Sequence, residues 1–154
     1  MMNPRNSEMT SSILRRAFFS TWVASGEFDA DVVSGLAHVV RGSGTRPAWI
    51  AAVPSARLGE TLSRLAQAVA AELQIPYVDL LTRTEARPPQ REMANAVQQA
   101  ANVRGAFAVT AAPPRGTGIL LDDRRSSGWT LAMVGGQLRK KGSERVVPLV
   151  LATL

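Results

Sequence analysis

Five short apolar runs, separated by segments of helical spacing, constrain this chain more than any other feature. "AWIAAV" (48–53), "YVDLL" (77–81), "AFAV" (106–109), "GILLDD" (118–123) and "ERVVPLVLATL" (144–154) read as buried strands. Segments 11–24, 28–41, 58–73, 91–103 and 129–141 read as helices. Strands that are apolar throughout and alternate with helices predict an α/β fold. Its sheet is mainly parallel and flanked by helices on both faces. In 28–41, Phe28, Val32, Val33, Leu36, Val39 and Val40 share one stripe, and Asp29 and Asp31 sit where a helix dipole favours negative charge. Residues 82–90, "TRTEARPPQ", are polar and read as a loop. The expected organisation is a flexible or helical lead-in over 1–27 and one domain over 28–154.

Composition narrows the chemistry. The 154 residues contain no cysteine, which excludes disulfide frameworks and Cys-ligated zinc or iron–sulfur sites and suits a reducing cytoplasm. The lone histidine, His38, argues against a His-metal cluster or a His-dependent triad, and on a largely apolar helix it reads as structural. No apolar run is long enough to span a membrane. A formal net charge of +6 points weakly to phosphorylated partners, against a background of simple solubility.

The stretch "GILLDDRRSSGWT" carries the sharpest signal. In open parallel sheets, ligands sit beyond the carboxyl ends of strands, where Asp122 and Asp123 fall. Gly128 allows a tight turn, and the helix that follows aims its unpaired N–H groups into that turn. Such a cradle suits an anion, most naturally a phosphate, with Ser126, Ser127 and Thr130 adding hydroxyl donors. Two carboxylates beside a phosphate would repel it. They make sense if they reach hydroxyls attached to it, as on a ribose.

"ILLDDRRSSGWTL" resembles the ribose-5-phosphate loop of type I phosphoribosyltransferases, in which two acids after an apolar strand precede a Ser/Thr-Gly-x-Thr turn. "LTRTEARPPQREMANAVQQAANVRGAFAV" (81–109) is similar to ComF-type members. The order of "AAVPS", "PPQREMANAVQQAANVRGAF", "DD…SGWTL" and "VVPLVLATL" is similar to the phosphoribosyltransferase-like domain at the C-terminus of some RecQ-family DNA helicases. The resemblance implies that Asp122 and Asp123 hydrogen-bond ribose hydroxyls. It implies that Ser126, Ser127, Gly128, Trp129 and Thr130 wrap the 5-phosphate, and that the "PSAR" loop (54–57) contacts a diphosphate through Arg57. Residues 82–90 would cover the site. A magnesium ion would bridge ligand oxygens, with Asp122 and Asp123 nearby, rather than occupy an all-protein cage. It assigns no catalytic residue.

Three departures qualify that reading. Arg124 and Arg125 follow the acids, where they could pair with them or strengthen phosphate binding. Ser126 stands where purine-specific members often have an acid, and it is a poor general base. No hood for a nucleobase is evident. The expected function is therefore a domain that binds phosphoribosyl diphosphate or ribose 5-phosphate, linked to DNA metabolism, with turnover open. The alternatives are a non-catalytic domain that contacts DNA or a helicase core, and a nucleotide sensor.

Overall fold

The computed structural model describes residues 29–84, 107–125 and 129–153. Helix α1 (Ala30–Gly42) leads into strand β1 (Trp49–Ala52), then helix α2 (Thr61–Leu73) and strand β2 (Leu81–Arg83). Strands β3 (Phe107–Val109) and β4 (Thr117–Arg125) follow, then helix α3 (Trp129–Lys140) and strand β5 (Arg145–Thr153). The expected helices 11–24 and 91–103, the lead-in 1–27 and most of the loop 82–90 lie outside the described residues.

The central sheet has the order β1-β4-β5 and is parallel throughout. Its register sets Trp49 beside Gly118, and Gly118 beside Val146. A single parallel bridge from Ile50 to Tyr77 extends the free edge of β1. There Ile50 N–H donates to Pro76 O (3.0 Å) and Val78 N–H to Ile50 O (2.9 Å).

Alternation along the strands sorts two cores. Ile50, Ala52, Ile119, Leu121 and Leu149 pack with Leu62, Leu65, Ala66 and Val69 of α2 and with Val40 of α1. On the other face Trp49, Ala51, Val53 and Leu120 pack with Leu131, Val134 and Leu138 of α3 and with Leu81 and Phe107. Both faces are covered, as the continuous apolar runs require.

Three expectations need correction. The run 77–81 is not one strand of the parallel sheet. Tyr77 bridges β1, the chain turns, and Leu81 opens β2, which pairs antiparallel with β3 (Leu81 opposite Val109). Thr82 and Arg83, expected in a loop, are therefore in β2, and the Arg83 guanidinium stacks 5.5 Å above the Phe107 ring. In α1, Val40 and Ala37 are buried, whereas Val39 remains 57% exposed at the border of the stripe. His38 is exposed on α1.

The helix ends follow local chemistry. Asp29 caps α1 by accepting a hydrogen bond from Asp31 N–H (3.2 Å). Arg41 of α1 donates to Glu72 O (2.7 Å) and ties its last turn to that of α2. α2 ends on Gln74 in a left-handed conformation (φ 57), with its N–H on Ala70 O and Ala71 O. A Cβ at such a position is strained, which is why glycine usually stands there. Gln74→Gly is expected to raise stability by up to about 1 kcal/mol, read as a higher denaturant midpoint at unchanged slope.

Candidate functional site

The site forms where β1 stops and β4 continues. Val53 N–H still donates to Leu121 O (2.8 Å), but Pro54 has no N–H, so β1 cannot pair further. β4 and β5 run on together, with Asp122 opposite Val150 and Arg124 opposite Ala152. The two acids therefore lie just beyond the end of β1. β4 extends two residues past the expected strand end and takes in the backbone of Arg124 and Arg125, while what their side chains reach lies outside the described residues.

The loop after β1 is shaped by its own residues. Ser55 Oγ accepts from Leu58 N–H (3.0 Å) and Gly59 N–H donates to Ser55 O (3.0 Å). Gly59 adopts φ 54, which a side chain would strain. This turn carries Arg57 toward β4. Its Nη2 and Nε both donate to Asp123 Oδ2, at 2.9 and 3.1 Å. The Asp123 side chain keeps 14% of its surface exposed and that of Arg57 34%. Ser55 escaped the sequence reading as a shaping residue, although a Pro-Ser pair four residues ahead of a glycine is a recognisable turn signal.

Asp122 is nearly buried at 7% exposure, and its Oδ1 accepts from Asp123 N–H (2.8 Å). The strand pleat directs the acids apart: Asp122 continues the Leu120 row toward α3, and Asp123 continues the Leu121 row toward α2. A ligand held by both has to reach across the edge of β4 that β1 leaves open.

Two helix N-termini meet this edge. α2 starts after the Arg57 loop, and Glu60 at its N-cap makes no side-chain cap hydrogen bond. α3 starts at Trp129, with Thr130 half-buried. The first-turn N–H groups of both have no intrahelical acceptor and favour negative charge. Ser126, Ser127 and Gly128 lie outside the described residues, as does the Trp129 side chain. Thus the structure brings together Arg57, Asp122, Asp123 and the start of α3.

Among the described residues no group of three or more His, Asp or Glu is poised to hold a metal ion. Two neighbouring carboxylates remain compatible with magnesium, which keeps several waters and takes the rest of its shell from a ligand's phosphates. No described helix is long and apolar enough to cross a membrane.

Solved structures with a similar architecture include phosphoribosyltransferases. Adenine phosphoribosyltransferase superposes with a TM-score of 0.56 at 13% identity, over 80% of this chain and 68% of that one. The Saccharomyces cerevisiae adenine phosphoribosyltransferase, solved with an imino-altritol bisphosphate and adenine, gives 0.52 at 14% identity, over 82% and 70%. The B. subtilis glutamine phosphoribosylpyrophosphate amidotransferase, solved with ADP and GMP, gives 0.54 at 17% identity over 77% of this chain. That match spans only 25% of the amidotransferase. No family model and no curated protein matches the sequence. The chain has the type I phosphoribosyltransferase fold: a parallel β1-β4-β5 sheet with flanking helices.

Proposed function

We propose that this chain binds a phosphorylated ribose, phosphoribosyl diphosphate or ribose 5-phosphate, at the carboxyl edge of its sheet. One observation carries the reading. Arg57 and Asp123, singled out for the diphosphate and ribose ends of one ligand, lie 66 positions apart and touch at 2.9 Å. The solved phosphoribosyltransferases of the same fold support it.

In this reading Asp122 and Asp123 accept hydrogen bonds from the ribose hydroxyls. Ser126, Ser127, Gly128, Trp129 and Thr130 surround the 5-phosphate with backbone N–H groups and hydroxyls. Arg57 exchanges a carboxylate for a diphosphate oxygen, a charge-assisted contact of the same kind. That exchange releases Asp123 for the sugar. Magnesium would neutralise diphosphate charge, with Asp122 or Asp123 contributing at most part of its shell. The motif order shared with ComF-type and helicase-linked domains supports a setting in DNA metabolism.

Calorimetry with phosphoribosyl diphosphate and magnesium tests the reading. Saturable binding near one ligand per chain supports it, and absence of heat at millimolar ligand opposes it. Diphosphate release with a panel of bases separates a transferase from a binder. Arg57→Ala is expected to weaken phosphoribosyl diphosphate about 10- to 100-fold, as one charge-assisted contact is lost. Ribose 5-phosphate, which has no diphosphate, should lose far less. Equal losses for the two ligands would remove Arg57 from the diphosphate role.

A further inference from the structure

The opposite edge of the sheet gathers unneutralised positive charge. Three chain segments converge there. Ala48 N–H donates to Thr117 O (2.7 Å), and Glu144 N–H donates to Gly116 O (3.2 Å). Gly116, at φ 97, lies so close that a Cβ on it would stand 3.0 Å from that of Ala48. Ser143, only 5% exposed, donates its hydroxyl to Arg145 O (3.0 Å), with Gly116 O at 3.3 Å. The edge is thus a tied surface rather than three loose ends.

Onto it the sequence sets Arg46 before β1, Arg115 before β4, Arg145 at the start of β5, and Arg139, Lys140 and Lys141 at the end of α3. All six are exposed, and none has an ion-pair partner among the described residues. Glu144 is the one acid within these segments. The dipole of α3 accounts for Arg139 and Lys140, in its last turn, and for Lys141 just beyond. It does not account for Arg46, Arg115 and Arg145, which stand at strand starts. Since β1, β4 and β5 are neighbours in the sheet, about 4.8 Å apart, the three arginines enter the same edge from adjacent chain segments.

We propose that this basic edge is a docking surface for the phosphodiester backbone of a nucleic acid. Membrane docking pairs cations with inserted apolar side chains, and protein docking needs an apolar centre. Val39 is the one exposed large hydrophobic among the described residues. Trp49, the aromatic nearest in sequence, is fully buried and offers no stacking surface. Contact is therefore with phosphates, independent of base sequence, and duplex binds at least as well as single strand. From Thr117 to Asp123 the strand rises roughly 20 Å, so this surface is separate from the ribose-phosphate site.

Fluorescence anisotropy of the full chain with a labelled 20-base-pair duplex tests the proposal. The wild type should bind at 50 mM salt and lose at least about tenfold in affinity by 200 mM. Combined Arg46→Gln, Arg115→Gln and Arg145→Gln should weaken binding at least tenfold and reduce the log–log salt slope by about two to three. Phosphoribosyl diphosphate binding and the thermal midpoint should stay unchanged. If that variant does not fold, Lys140→Gln with Lys141→Gln reads the same loss from the exposed end of α3. Absence of duplex binding at 50 mM, salt-independent binding, full affinity in the neutralised variants, a tenfold preference among duplex sequences, or tighter binding to anionic phospholipid vesicles than to duplex would each overturn it.

Discussion

Gly118→Val should destabilise the domain by about 3 kcal/mol or more, a large share of the stability of a small protein. A Cβ at this position would enter the Trp49 indole, against Cζ2, Cε2 and Cη2. Trp49 stands directly across the ladder and is fully buried, with α3 behind it. The ring has no room to move, and Leu120, Val134 and Leu138 close the face. Among the described residues the indole Nε1 has no hydrogen-bond partner, so packing alone holds the ring. The check is the urea midpoint of Gly118→Val. Trp49→Ala costs about 3–5 kcal/mol by itself, and in the double variant the two losses should not add. A midpoint within experimental error of the wild type would show that the ring does not occupy that space.

Asp122→Asn with Asp123→Asn should lower affinity for phosphoribosyl diphosphate at least about 100-fold, since two charge-assisted hydrogen bonds become neutral ones. Stability should change little. The amide that replaces the Asp122 carboxylate keeps an oxygen to accept from the N–H of residue 123, and the amide oxygen at 123 still accepts from Arg57, whose guanidinium is one-third exposed, so that weakening this pair costs about 1 kcal/mol. Removing two adjacent negative charges offsets part of that loss. A calorimetric titration and a denaturant melt of one preparation therefore separate loss of ligand from loss of fold. Near-native affinity in a folded double variant would take both acids out of the ribose role.

The apolar runs made much of this architecture readable. Residues 48–53, 118–123 and 144–154 are apolar on both faces because helices cover both sides, and they became β1, β4 and β5. The run 77–81 misled for a physical reason. Apolarity records burial and not strand direction, and this run serves two layers. Tyr77 meets the α2-side core, while Leu80 and Leu81 cross to the α3 side, where Leu81 pairs antiparallel with β3. β4 outran its expected end because charged residues were read as a stop, whereas β5 supplies a partner as far as Thr153. At the site, the acids and Arg57 were legible one by one. Their contact was not, because a pair 66 positions apart leaves no local pattern.

The most direct test of the ribose-phosphate site is the amide spectrum of isotope-labelled protein titrated with ribose 5-phosphate. The account predicts saturable shifts confined to the loop around Arg57, to Asp122 and Asp123, and to the first turn of α3. Amides at Arg46, Arg115 and Arg145 should stay in place. Shifts centred on those arginines, or none at saturating ligand, would contradict it.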